Sequence, residues 1–503
     1  MSQPVNVLWG SEPDAPLRHR PGLQRLHSWI GKALRPFQAA AADQAPAADA
    51  ALDSFESSAA VILDPRWANT RLPQLSLLWP RAPQRGRADD PTRLRDRPAP
   101  ARGRVRSDET SRQAAPAPER SAVVLNREVR FGSIRYPFYV RSGSAAWHEL
   151  ADLLTDLHAD RFLLVTDSGV PTAAVHAVRL RLTELAPTTL LRVPSSEQAK
   201  TIRTVDDLAR QAFTSGATRR SVVVALGGGL AGNVGGLLAH LFLRGTRLVH
   251  VPTTLLAMSD SVLSLKQAVN SPVGKNHLGA FHAPELVWVQ LEFLDTLPPS
   301  QIRAALCEAI KNVIAICPGR YDEMAARLRA DAVYTPAEFA WFIGSCVAAK
   351  QEVMAADPCE KGRALILEYG HTVGHAAEFA SGGSFSHGLA IGVGGLVAAR
   401  IASLLGVGDP VIEMAHESLL QLNGSPTFLR AGLTTDHLMQ VIRLDNKRGY
   451  RPQRNGHIDM ILLADLGQPY QTGGSIITQV PEGLVHAGIE SRINRLTTAE
   501  GQE

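Results

Sequence analysis

The stretch Ser221-Val222-Val223-Val224-Ala225-Leu226 leads straight into Gly227-Gly228-Gly229-Leu230-Ala231-Gly232-Asn233-Val234-Gly235-Gly236, after which Leu237 to Leu243 continue with helical character. A short β-branched run bounded by glycine reads as a buried strand, and the segment beyond it as a helix. Glycines at a strand-to-helix turn let backbone N–H groups approach a pyrophosphate, and the helix N-terminus adds a favourable field for the anion. Tight packing of helix on strand also selects glycine. Six glycines within ten residues favour the dinucleotide reading, with Gly227, Gly228 and Gly229 at its centre. Asp167 closes an earlier apolar run, Phe162 to Thr166, where a carboxylate can accept hydrogen bonds from a ribose; an Asx turn before Ser168-Gly169 explains it equally well.

Outward from this stretch, further strand-like runs (Phe162 to Val165, Thr189 to Val193, Arg247 to Val251) alternate with helical-period segments such as Glu197 to Ala212. Such alternation predicts an α/β fold with a doubly wound, Rossmann-like parallel sheet over residues 123–298. After Pro298-Pro299 the strands largely stop, and helical patterns run from Gln301 to Ile316, Pro336 to Ala355 and His371 to Leu405. Residues 299–503 therefore read as a mainly helical domain.

Residues 1–122 differ in kind. The first 120 hold 15 of the 32 prolines and 18 basic against 13 acidic residues, which is more than the whole net positive excess of +4. Such a composition favours a disordered extension, with one short amphipathic stretch from Leu23 to Phe37. The balance of charge is too small to make the basic face that nucleic acid requires. No stretch approaches the roughly 20 uninterrupted apolar residues of a membrane span, and the N-terminus lacks a secretory signal pattern. Four cysteines without a C-x-x-C pair suggest reduced thiols and a cytoplasmic protein.

Two further constellations carry chemistry. His371 and His375 lie four apart on one predicted helical face, and His387 follows in Ser386-His387-Gly388. Imidazoles with a carboxylate are a usual set for Zn²⁺ or Co²⁺, with Glu308 the best external carboxylate; spacing alone selects the His371/His375 pair. Lys266, Lys275, Lys311, Lys350 and Lys447 sit in Gly-, Asn- and Thr-containing segments beside apolar runs, which suits an anionic substrate held by point charges.

Read together from residue 123 onward, the motifs resemble the sugar-phosphate cyclases, the family of 3-dehydroquinate synthase. The resemblance rests on Gly227-Gly228-Gly229 with Gly232-Asn233, Val251 to Ala257, Asp260, Lys266 to Asn270, Gly274-Lys275-Asn276, Glu308 to Lys311, Gly370-His371-Thr372 with Gly374-His375, and His387-Gly388. It implies NAD and a divalent metal (Co²⁺ or Zn²⁺) as cofactors, and a small-molecule sugar phosphate as substrate. By the same resemblance the metal ligands are Glu308, His371 and His387, with His375 turned to the substrate. Asp167, Glu197, Lys200, Gly227, Gly228, Gly229, Asn233, Thr253, Thr254 and Lys275 are the implied cofactor contacts.

Lys266, Asn276, His375 and Lys447 are the implied phosphate contacts, while Asp260, Lys311 and Lys350 fall to sugar hydroxyls. Glu368 is implied as general base or hydroxyl orienter, with Lys266 and His375 beside it as catalytic residues. Arg244, in Leu243-Arg244-Gly245, matches an arginine that reaches into a neighbouring subunit's site and implies a homodimer. Relatives that act on carboxylated substrates carry Asn where this chain has Glu368 and Arg where it has Ala364; the neighbouring Arg363 falls on a different face of a helix. The resemblance thus points to the branch that cyclises glucose 6-phosphate to an inosose. The alternatives are 3-dehydroquinate synthase, a sedoheptulose 7-phosphate cyclase or a metal-dependent polyol dehydrogenase.

Overall fold

The computed structural model describes residues 125–493 apart from 273, 446 and 448, and these fall in one compact unit. The extension 1–122 and its Leu23 to Phe37 stretch lie outside the described residues. The chain opens with β1 (Leu125–Phe131), β2 (Ile134–Arg141), α1 (Ala146–Thr155), β3 (Phe162–Asp167), α2 (Thr172–Leu185) and β4 (Thr188–Val193). It continues with α3 (Ile202–Thr214), β5 (Val222–Gly227), α4 (Gly229–Leu241), β6 (Arg247–Pro252), β7 (Lys266–Ser271), β8 (Gly274–Phe281) and β9 (Leu286–Gln290).

Seven of these strands form one sheet in the order β1-β2-β9-β6-β5-β3-β4, parallel from β2 to β4. Every residue of β3 and β5 is buried, as expected where helices cover both faces of a parallel sheet. Leu163, Val165, Val223 and Ala225 pack with Val205 and Leu208 of α3 and with Val234 and Leu238 of α4. The wholly parallel expectation needs amending at one edge, where β1 pairs antiparallel with β2. The segment from Glu197 is also not one helix: Glu197–Ala199 is a single 3-10 turn, and α3 begins after Thr201, whose Oγ1 accepts from Thr204 N at 3.2 Å. β7 and β8 stand apart as an antiparallel hairpin that the apolar pattern did not reveal, because β8 is almost entirely exposed.

The helical layer follows: α5 (Pro299–Ala315), α6 (Tyr321–Arg327), α7 (Pro336–Met354), α8 (His371–Ala380), α9 (His387–Leu404), α10 (Val411–Leu422), α11 (Thr435–Ile442) and α12 (Glu482–Glu490), with short strand pairs between the last two helices. Pro299 opens α5 and Pro336 opens α7, where a missing N–H costs nothing. The single helical pattern expected from His371 to Leu405 is two helices. Gly382 N and Gly383 N cap the end of α8 by bonding back to Phe379 O and Glu378 O, with both glycines at positive φ, so the chain reverses and His387 starts a new helix. α9 is apolar and long enough to cross a membrane by composition alone, but most of it is buried against α5, α8, α10 and α12, where its apolar surface forms the core.

Candidate active site

The carboxyl ends of β3, β5 and β6 meet at one edge of the sheet, with Leu226 opposite Thr166 and Gly227 opposite Pro252. The chain leaves β3 for β4 on one side and returns through α3 to β5 on the other, which puts the topological switch point beside Asp167 and Gly227. Gly227 has φ +150°, and a Cβ there would stand 2.9 Å from Asp167 Oδ2, so no other residue fits between strand and carboxylate. Asp167 Oδ1 accepts from Gly169 N at 2.9 Å, the Asx turn weighed from sequence. Gly228 caps α4 facing Thr254, and Thr253 N donates to Gly227 O at 3.0 Å. Gly235 serves packing instead: a Cβ there would meet Ala225 Cβ at 2.9 Å.

The β7–β8 hairpin closes over this edge. Asn233 ties it to α4, accepting from Ala268 N and donating to Gly229 O, both at 2.9 Å. Lys200 Nζ donates to Asn276 Oδ1 at 2.5 Å, and Asn270 Nδ2 to Glu197 Oε1 at 2.8 Å. Lys275 Nζ pairs with Glu378 Oε1 at 2.7 Å and lies 4.0 Å from Glu197 Oε1. The hairpin thus brings Lys275 and Asn276 to Glu197 and Lys200, with Lys200 and Asn276 76 residues apart in the chain.

Beneath it, α5, α8 and the start of α9 bring together a set of side chains that could hold a metal ion. The ligand atoms of His371, His375 and His387 all lie within 4.8 Å of one another. His387 Nε2 stands 3.4 Å and His371 Nε2 3.6 Å from Oε1 of Glu308, which is buried in the middle of α5. A Cβ on Gly388 would overlap the Ala304 carbonyl, so this glycine lets α9 approach α5 and delivers His387 to Glu308. Donors about 2.1 Å from a shared cation stand roughly 3.0–3.4 Å apart, close to the spacing seen here.

Both Glu308 oxygens are buried without a well-formed hydrogen bond, although Lys311 Nζ pairs with Oε2 at 2.6 Å. Burial opposes the charge of Glu308, yet Lys311 and the rings of His371 and His387 hold its carboxyl well below the usual range. Burial and Lys311 lower His371 to about 4, and burial with the other two rings holds His375 well below its ordinary value. Burial opposes the charge of His387 too, but contacts with Glu308 and Glu378 raise it to about 10, so this spot favours a cation. A divalent ion needs an ionised carboxylate and free imidazole nitrogens: Glu308 is ionised, His371 and His375 are neutral, and a cation beside Glu308 would take the place of the proton on His387, so the residues present fit one. His371 Nδ1 lies 3.2 Å from Tyr369 O and His387 Nδ1 3.1 Å from Glu378 Oε2, which leaves both Nε2 atoms beside Glu308 to face a cation. Among the described residues no such hydrogen bond orients His375.

Next to the histidines, Glu368 ends a 3-10 turn (Arg363–Glu368) with Lys447 Nζ 3.7 Å from Oε2 and Lys266 Nζ 3.9 Å from Oε1. Burial opposes its charge, but His371, Lys447, Lys266 and His375 outweigh burial and keep it ionised far below the usual carboxylate range. Lys447 also pairs with Asp445 at 2.9 Å, and Lys266 with Glu360. Lys311 donates to Leu367 O at 2.7 Å, and Lys350 pairs with Asp260 at 2.8 Å. Arg363 turns outward to Glu352 at 3.2 Å, while Ala364 is fully buried.

One candidate stays outside this assembly. Arg244 is exposed beyond the C-terminal end of α4, about 20 Å along the helix from the glycine turn. Three residues escaped sequence reasoning. Glu378 follows His371 and His375 on one helical face at i, i+4, i+7, a signal that could have found it. Glu360, in a loop at φ +52°, and Asp445 carry no such signal.

Residues 190–304 match the family model described as 3-dehydroquinate synthase N-terminal, and residues 305–448 the one described as 3-dehydroquinate synthase C-terminal. A 2-deoxy-scyllo-inosose synthase of Streptoalloteichus tenebrarius is 44% identical over 358 residues, 71% of this chain and 92% of that protein. The chain belongs to the 3-dehydroquinate synthase family. A second 2-deoxy-scyllo-inosose synthase, of Micromonospora echinospora, is 43% identical over 71% of this chain and 90% of its own length. Among solved structures of the family, a 2-deoxy-scyllo-inosose synthase complexed with carbaglucose-6-phosphate, NAD+ and Co2+ superposes with a TM-score of 0.70 at 36% identity, over 73% of this chain and all of that one. A 2-epi-5-epi-valiolone synthase from Streptomyces hygroscopicus shares the fold at a TM-score of 0.62 and 22% identity.

Proposed function

We propose that this protein is a 2-deoxy-scyllo-inosose synthase, a carbon-oxygen lyase that converts glucose 6-phosphate to a carbocyclic ketone and phosphate. The observation that carries the reading is Glu368: an ionised, buried carboxylate set between two lysines, beside the buried Ala364 and with Arg363 turned away. That pocket suits a phosphorylated sugar without a carboxylate. The 2-deoxy-scyllo-inosose synthases at 40–44% identity, and the carbaglucose-6-phosphate bound in the solved structure at 36% identity, support the same reading.

When bound, NAD⁺ would supply a hydride acceptor for C4 that gives the hydride back to the same carbon after phosphate has left, and the divalent cation a Lewis acid beside that hydroxyl, so no external oxidant or reductant is consumed. Glu308, His371 and His387 are the residues that would hold the cation, and the switch-point edge with Gly227–Gly229, Asp167, Thr253 and Thr254 the nucleotide. Once C4 is a ketone, the C5 proton is acidified, and its removal breaks the C6–O bond and expels the 6-phosphate; with C4 a hydroxyl again, the ring C–O bond at C1 opens and C6 attacks the C1 aldehyde, closing the carbocycle. Lys266, Lys447, Asn276 and His375 hold the phosphate as it leaves; Asp260, Lys311 and Lys350 orient the hydroxyls. Glu368 takes or orients a proton. Its two lysines depress it in the free enzyme, and a phosphate dianion shared with those lysines would raise its basicity when substrate is present.

The α/β and helical layers would act as two domains meeting near residue 298, with the reaction in the crevice between them. Arg244, far from its own chain's site, would serve a partner's site in a homodimer. The four cysteines, free among the described residues, suit a cytoplasmic setting.

The test is product identification. Purified protein with NAD⁺ and Co²⁺ is incubated separately with glucose 6-phosphate, sedoheptulose 7-phosphate and the carboxylated seven-carbon substrate of 3-dehydroquinate synthase. 2-Deoxy-scyllo-inosose and phosphate from the first supports the reading. Conversion of the carboxylated substrate with no turnover of glucose 6-phosphate overturns it.

A further inference from the structure

We propose that Glu378 is the positioning residue of the metal centre, fixing His387 in the tautomer and orientation that presents Nε2 to the cation; this rests on the reading of Glu308, His371 and His387 as ligands. Three distances carry it. His387 Nδ1 donates to Glu378 Oε2 at 3.1 Å, His387 Nε2 stands 3.4 Å from Glu308 Oε1, and Lys275 Nζ pairs with the other oxygen of Glu378 at 2.7 Å.

The arrangement follows from the backbone. His371, His375 and Glu378 share one face of α8 over two turns, and the reversal at Gly382-Gly383 puts His387, the first residue of α9, opposite that face. His387 lies in the first turn of α9, where the helix has a single covalent anchor on its N-terminal side and the ring is more exposed than that of His371 (29% against 11%). His371 has its own backbone acceptor, Tyr369 O. For His387 the corresponding acceptor is a side chain, and that side chain is itself held by Lys275 from the β7–β8 hairpin. A carboxylate receiving the Nδ1–H of a ligating imidazole fixes its tautomer and raises its donor strength, and losing such a partner weakens metal binding about 10- to 100-fold.

A plain helix-to-hairpin ion pair would need only Lys275 and Glu378, and would leave metal affinity alone. Co²⁺ affinity, by competition with a chromophoric chelator, and the visible spectrum of bound Co²⁺ are therefore measured for wild type, Glu378→Ala, Glu378→Gln and His387→Ala. The urea midpoint of each metal-free protein reports folding. The expected result is a Kd raised about 10- to 100-fold in Glu378→Ala with an altered Co²⁺ spectrum, and a smaller rise in Glu378→Gln, which keeps an acceptor oxygen without the charge. Wild-type Kd and spectrum in the folded Glu378 variants, with Co²⁺ lost in His387→Ala, would overturn the positioning role. Should His387→Ala itself keep wild-type affinity, the ligand assignment fails first and takes the proposal with it. Because Glu378→Gln is isosteric, it decides the matter if Glu378→Ala does not fold.

Discussion

Glu368→Gln removes one charge and almost no volume from the centre of the proposed site. Lys447, buried, stands 3.7 Å from the Glu368 carboxylate; Lys266 stands 3.9 Å away with its side chain 44% exposed. At an effective dielectric constant near 20 the attraction to Lys447 is about 4 kcal/mol, and that to Lys266 is less because water screens it. In the variant that attraction becomes available to an incoming phosphate, so KM for glucose 6-phosphate should hold or fall. The proton acceptor is gone, and kcat should fall by about 10²- to 10⁴-fold. The same charge acts on specificity: a substrate carboxylate about 4 Å from Glu368 meets a repulsion of about 4 kcal/mol, a discrimination of roughly 10³-fold that the variant relaxes. Steady-state phosphate release on glucose 6-phosphate and on the carboxylated seven-carbon substrate gives both constants. The reasoning is refuted if kcat stays within about a factor of ten of wild type or if KM rises in parallel with the loss.

Metal analysis of purified Glu308→Gln, His371→Ala, His387→Ala and His375→Ala should find metal lost from the first three and largely kept in the fourth, with turnover reduced in all. Equal loss from His375→Ala would restore the paired-histidine reading of the sequence. Burial lowers His250 to about 4, with His282 adding to the effect, and burial with Arg492 lowers His416 to about 3. Both folded-state values lie below the unfolded value near 6.5, so their contribution is complete above that pH and is lost as pH falls. Urea-derived stabilities of wild type and His416→Gln should converge by about 2 kcal/mol between pH 7 and pH 5, whereas parallel curves would show that His416 is not held neutral. A chain shortened to begin near Ser121 should keep its turnover on glucose 6-phosphate, since the relatives match only about 71% of this chain; a folded but inactive product would assign the extension a role.

The parallel sheet was legible because β3, β5 and β6 are buried on both faces, so nearly every side chain must be apolar and the runs announce themselves. The glycine turn and His387-Gly388 were legible for a related reason: where backbones approach closely only glycine fits, and that constraint leaves a mark at a fixed position in the chain. The β7–β8 hairpin left none, because its exposed strand has no apolar period; the break between α8 and α9 is written in Ser381-Gly382-Gly383-Ser384, a turn signal that the reading of one long helix passed over. Only the tertiary structure decided which charges meet. Glu360 with Lys266, Lys447 with Glu368, and Lys275 with Glu378 are 94, 79 and 103 residues apart. Electrostatic pairing depends on distance in space and is indifferent to separation along the chain, so no local pattern records it.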